Sequence, residues 1–171
     1  MMTVSITLFL ILFQEDFYKM AENEQKPTGS IQINAQYVKD LSFEAPAMPM
    51  ILSEIKGAPS ISVDIDVKAN KGGDKIYTAE LTIKTKAIKP DDQKTVFICE
   101  LTYGGLVTLD VPAEHIEPLL LVEIPHLLFP YARAIIANTT REAGLPPLQI
   151  NPVDFASLYR QRLAAGQKPT A

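Results

Sequence analysis

Cysteine occurs once in this chain, at Cys99, histidine twice, at His115 and His126, and tryptophan not at all. A single cysteine excludes an internal disulfide and any Cys-x-x-Cys metal site, which fits a reducing compartment. Neither histidine has a serine or cysteine at a recognisable motif spacing, and no cluster of ligand residues is visible. The sequence therefore predicts no catalytic residues, no metal and no cofactor. Gly104-Gly105 is no phosphate loop, because neither a lysine nor a helix start follows; it reads as a bend or bulge within a strand. Positive charge is also short. Sixteen Lys and Arg stand against 20 Asp and Glu, a formal charge of −4 with pI near 5.2. That argues against a nucleic-acid binder and leaves room for a basic partner.

Apolar character is ample. At 171 residues, with 47% hydrophobic side chains and a mean hydropathy of +0.07, the chain suffices for one compact domain with tails. The apolar stretch Val4 to Phe13 is too short to span a bilayer. It lacks a basic flank and is followed by Gln14-Glu15-Asp16 in place of a small-residue cleavage site. Met20-Ala21-Glu22-Asn23-Glu24 reads as an ordinary cytosolic amino terminus, so the residues before Met20 read as a start-site artefact or a disordered extension, with an amphipathic anchor as the alternative. The expected organisation is an extension and flexible lead-in over 1–29, a domain over 30–164 and a disordered tail over 165–171. The expected location is cytoplasmic, with no stable membrane insertion.

Four segments alternate with period two. Ile31, Ile33, Ala35 and Tyr37 form the first apolar series, and Ile61, Val63, Ile65 and Val67 the second. Tyr77, Ala79, Leu81 and Ile83 form the third, and Phe97, Cys99, Leu101 and Tyr103 the fourth. Such regularity predicts strands with one wet face. Asn70-Lys71-Gly72-Gly73-Asp74 and Lys89-Pro90-Asp91-Asp92 are hairpin turns, so the later strands run antiparallel. The connection from Glu44 to Ser60 is long, apolar at Met48, Met50, Ile51 and Leu52, and reads as a functional loop or crossover.

Beyond the strands the period becomes helical. Pro112 opens a short helix through about Val122, and Pro125 and Pro130 bracket the start of a main helix over Pro130–Ala143. Gly144 is placed as its C-terminal glycine, and Pro146-Pro147 forbid continuation. Asp154 caps a last helix through about Ala164, with Phe155, Leu158 and Leu163 as its apolar stripe. The fold class is α+β, a four-stranded antiparallel sheet with helices packed on one face.

Two surfaces carry functional promise. Asp64, Asp66, Glu80 and Glu100 occupy the polar register of the strands, with Asp40 and Glu44 past the first strand. They form either a plain solvated face or a docking face for a basic partner. The main helix is apolar almost all round, with charges only at Arg133, Arg141 and Glu142. If Ala134 and Ile135 cover the sheet, Leu128, Tyr131 and Ile136 face the methionine-bearing loop, which is adaptable. That side is either a sealed core or a groove for apolar segments of other chains.

Asp40-Leu-Ser-Phe-Glu-Ala-Pro46, Phe97-Ile-Cys-Glu-Leu-Thr-Tyr-Gly-Gly105, Leu128-Phe-Pro-Tyr-Ala-Arg133 and Leu148-Gln-Ile-Asn-Pro-Val-Asp-Phe155 stand in this order from about Ile31 to Leu163. In this combination the chain resembles the SecB family of bacterial export chaperones. The resemblance implies a homotetramer, a dimer of dimers, that binds unfolded precursor proteins and delivers them to the SecA motor. It implies SecA docking at Asp40, Glu44, Ile98 and Glu100, and tetramer assembly through the strand face of Cys99, Leu101 and Tyr103. Client grooves would lie between the main helix and the crossover loop, at Met48, Met50, Ile51, Leu52, Leu128, Tyr131 and Ile136. The end Gln167-Lys168-Pro169-Thr170-Ala171 lacks the acidic tail frequent in that family, and the apolar stretch before Met20 is foreign to it. Rival readings are a related chaperone of a toxin–antitoxin system and a small-molecule carrier or enzyme using the apolar groove.

Overall fold

The computed structural model describes residues 29–55 and 57–166, so the expected extension and tail lie outside the described residues except for Gly29, Ala165 and Gly166. Strands β1 (Ser30–Glu44), β2 (Ser60–Lys71), β3 (Ile76–Ile88) and β4 (Thr95–Asp110) form one sheet in the order β1-β4-β3-β2. All three pairings are antiparallel, as the hairpin turns predict. Gly72 and Gly73 both donate to the Ile76 carbonyl, at 2.8 and 3.2 Å, closing the first hairpin. In the second, Lys89 N donates to the Lys94 carbonyl at 2.8 Å. There the Lys94 N–H bonds Asp92, and this above all, with Lys89 beside it, holds the Asp92 carboxyl below its usual range. Because β1 pairs with β4, the long connection must cross the sheet, which leaves β1 and β2 as its two edges.

The alternation in β1 is not continuous. Register shifts between Ile33 and Ala35 and between Val38 and Asp40 divide the strand. Ile31 and Ile33 pair with Leu109 and Val107 of the helix-facing side, whereas Ala35 and Tyr37 pair with Leu106 and Gly104 on the opposite face. One added residue moves every later side chain to the other face. Gly104 gives room for the ring so displaced, since a Cβ there would lie 2.6 Å from Tyr37 Cζ. Gly105 accommodates Leu128, 3.2 Å from its would-be Cβ. The two glycines thus serve close packing, and the bulges fall on the neighbouring strand, which corrects the expectation of a bend at Gly104-Gly105.

Helix α1 (Ile51–Glu54) is a single turn inside the crossover, pinned by the wholly buried Ile51. After β4, α2 (Ala113–Pro118) runs through a π-helical turn (Leu119–Glu123) into α3 (Ile124–Glu142). The helical path therefore does not break near Val122, and α3 begins before Pro130. A widened π turn follows Pro118, and Pro125 sits in the first turn of α3, where a missing donor costs little. Leu128, Ala132, Ile136 and Thr140 face the sheet at a spacing of four and are fully buried. This reverses the expected faces, since Ala134 is exposed and Ile135 only half-buried. The stretch Ala113–Glu142 is apolar enough to cross a membrane by length and composition, yet 44% of its 18-residue apolar window is buried, as for a core helix on a sheet.

Helix α4 (Phe155–Ala164) starts where Asp154 accepts from Ser157 N at 2.8 Å, as the sequence predicts. Phe155 is buried against the Phe129 ring and the His126 ring. Leu163 is 51% exposed and drops out of the expected stripe.

Candidate functional site

Two features stand at the β2 side of the sheet. The first is an open apolar cavity of about 500 Å³. Its floor is Val96 and Phe97 of β4, one wall is Ile55, Ala58, Pro59 and Ile61, and the other is Leu145, Pro146, Pro147 and Leu148. Gln149 is the one polar side chain on its lining. The second feature is the edge of β2 itself. Ser60 to Asp64 are exposed on an edge strand, and Ile61 and Val63 are 43% and 42% accessible. Their outward backbone groups are free to pair with another chain.

The second wall is built by the end of α3. Gly144, at φ 80°, donates to the Arg141 carbonyl at 2.9 Å, and Leu145 N donates to the Thr140 carbonyl at 3.2 Å. This paired closure needs a left-handed residue, hence glycine, and turns Leu145 inward. Pro146 and Pro147 then stiffen the wall without needing donors.

Among the residues expected to line a groove, Ile51, Leu128 and Ile136 are completely buried in the core, which corrects that expectation: they hold the crossover and α3 on the sheet. Met48 is half-buried against the same core. Met50, Leu52 and Tyr131 are exposed, at 63%, 49% and 54%. None of these seven residues lines the cavity. Its real lining was visible in the sequence only as punctuation: Pro146 and Pro147 read as breakers, although the Leu145-Pro-Pro-Leu148 run is apolar throughout.

Asp40, Glu44, Ile98 and Glu100 do come together. Glu44 pairs with Ile98, Ser42 with Glu100 and Asp40 with Thr102, placing all four residues on the face opposite the helices. That face is less acidic than composition implies. Lys39 bonds Glu80 at 2.6 Å, which raises the lysine pKa, and Lys84 lies 3.1 Å from Glu100. Asp66 is engaged by Arg162 of α4. Cys99, Leu101 and Tyr103 lie on the other face, buried beneath the helices. Within one chain their side chains are core, beneath any surface that a second copy reaches. Burial, with Glu100 next to it, pushes the Cys99 thiol up. Burial likewise raises Tyr103, whose hydroxyl donates to Gln36 Oε1 at 3.3 Å. Besides Ile61 and Val63 of β2, apolar side chains left uncovered on the β1 side belong to β1 and α3: Ile31, Val38, Leu41, Leu127 and Tyr131. Among the described residues no group of three or more His, Cys, Asp or Glu could hold a metal.

The family model described as preprotein translocase subunit SecB matches residues 22–166. A protein-export protein SecB of Rhodospirillum rubrum is 44% identical over 139 residues, covering 81% of this chain and 86% of its own length. Its counterpart in a Bradyrhizobium strain is 46% identical over 144 residues, covering 84% and 88%. That of Bartonella quintana is 47% identical over 134 residues, covering 78% and 84%. Among solved structures, a SecB-like chaperone of Mycobacterium tuberculosis in complex with an antitoxin-derived peptide superposes with a TM-score of 0.58. It covers 72% of this chain and 90% of its own, at 13% identity, a likeness of fold alone.

Proposed function

From the premise that the chain belongs to the SecB family of protein-export chaperones, a family of chaperones and not of enzymes, we propose that it binds unfolded precursor proteins in the cytoplasm and hands them to SecA for export. The observation that carries this reading is the pairing of the apolar cavity with the exposed edge of β2. A holding chaperone must accept many sequences. Non-directional burial of apolar side chains, worth roughly 25 cal/mol per Å², supplies affinity without sequence readout. Added strand pairing uses only the client backbone, which is common to all chains. A specific small-molecule carrier needs convergent polar groups, and the cavity lining offers only Gln149.

The outer-face group Asp40, Glu44, Ile98 and Glu100 is the proposed SecA contact, an apolar centre rimmed by carboxylates. The uncovered Ile31, Val38, Leu41, Leu127 and Tyr131 supply the proposed assembly surface of a homotetramer, with Cys99, Leu101 and Tyr103 supporting it from beneath. A dedicated antitoxin client is the weaker reading, because the relatives at 44% to 47% identity are named as export proteins. The test measures binding of a permanently unfolded protein to wild type and to a variant with Ala58→Asp and Ile61→Ser together, both at exposed lining positions. The double variant should lose affinity while staying folded and assembled. Unchanged affinity would remove the cavity from client binding.

A further inference from the structure

We propose that Thr140 is the positioning residue of the client cavity, a role that rests on the reading above. Thr140 and Thr85 are the two buried threonines among the described residues, at 0% and 1% exposure. Thr140 uses its whole polar surface on one task. Its carbonyl accepts from Leu145 N at 3.2 Å, and its hydroxyl oxygen accepts from Leu148 N at 2.9 Å. The hydroxyl proton goes back to the helix, with the Ile136 and Ala137 carbonyls at 3.1 and 3.0 Å.

The two bonds bracket Leu145-Pro-Pro-Leu148, the second wall of the cavity, and tie both ends to one residue of α3. Between them the prolines bring no N–H, so nothing in their own backbone can donate to hold the wall in place. The wall position is thereby referred to α3, whose stripe of Leu128, Ala132, Ile136 and Thr140 itself is packed on the sheet. Removing the hydroxyl leaves the Leu148 N–H buried without an acceptor and lets that end of the wall swing.

The experiment compares full-length wild type with Thr140→Val, Thr140→Ser and Thr85→Val. The last removes a buried hydroxyl that donates to the Cys99 carbonyl at 3.2 Å and is not part of the cavity lining. The probe is a reduced, carboxymethylated protein that stays unfolded. Thr140→Val should bind it about fivefold more weakly with faster release, and its Leu148 amide should exchange faster. Thr140→Ser should bind like wild type, and Thr85→Val should lose melting temperature but keep affinity. Equal affinity for Thr140→Val, or equal weakening by Thr85→Val or Thr140→Ser, overturns the role. Should Thr140→Val fail to fold, Pro146→Gly with Pro147→Gly loosens the same wall and must weaken binding, unchanged affinity again overturning it. Absence of binding by wild type would instead defeat the holding function itself.

Discussion

Arg162 near the end of α4 donates to the Val67 carbonyl of β2 at 2.8 Å, and its second guanidinium nitrogen engages the carboxylate of Asp66. One side chain thus occupies an outward acceptor of an edge strand and pairs with the residue before it. The same contact divides β2, leaving Ser60 to Asp64 open and tying the strand down from Asp66 onward.

Arg162→Ala should therefore lower stability by about 1–2 kcal/mol, since charge-assisted bonds are stronger than neutral ones but this one is partly solvated. Urea titration measures the loss, and amide exchange should locate it in α4 and the end of β2. Arg162→Lys should recover only part, because it lacks the planar fork. Unchanged exchange in α4 would show that apolar packing of Phe155, Leu158 and Tyr159 docks the helix without the arginine.

The two sides of the inner sheet surface should answer differently to charge. Leu101 is completely buried, so Leu101→Arg places an unpaired cation beneath α3, at a cost of several kcal/mol, and should prevent folding. Leu41 is 42% exposed on uncovered β1, so Leu41→Asp should fold and instead reduce the assembly mass. Sedimentation with circular dichroism separates the outcomes. A folded, dissociated Leu101→Arg would return that strand face to the interface.

Handover should be separable from holding. Among the described residues Glu44 makes no ion pair, whereas Glu100 is paired with Lys84. Glu44→Lys should weaken SecA binding about tenfold and reduce its salt sensitivity, because exposed charges are screened within about a Debye length. Binding of an unfolded client should stay at the wild-type level. Equal SecA affinity in the variant would show that the partner docks elsewhere.

Cys99 gives a pH-dependent prediction. Its thiol is raised from 9.0 by burial in the folded chain, so the folded state favours the neutral form. That contribution to stability is whole below the unfolded thiol pKa and is lost as pH rises through the folded one. Wild type should therefore lose more stability than Cys99→Ala on going from pH 8 to pH 10. Thiol reagents at pH 8 should react far more slowly than with a free cysteine, at a rate set by opening of the fold. Rapid labelling of the native protein would contradict the burial.

Strand alternation, hairpin chemistry and the Asp154 and Gly144 caps were legible because they are local: each depends on residues a few positions apart. The grouping of Asp40 and Glu44 with Ile98 and Glu100 came from family resemblance, since no local rule reaches across a gap of more than fifty residues. The rotation of α3 escaped local reading because nearly every face is apolar, leaving periodicity no contrast. Leu128 and Ile136 went to the core because Gly105 opens a place for Leu128 on the sheet.

The sequence by itself therefore determined the α+β class, the antiparallel pairing of the later strands and the helix caps. Tertiary structure alone decided which apolar residues became core and which cavity wall, because burial is a competition among surfaces that meet only after the chain has crossed the sheet. It also decided the face of Ala35 and Tyr37, since a bulge exists only relative to a partner strand. Thr140 shows the difference most directly: its codes for helix and core are ambiguous in sequence, and its role follows from Leu148 returning eight residues later to the one hydroxyl that can receive it.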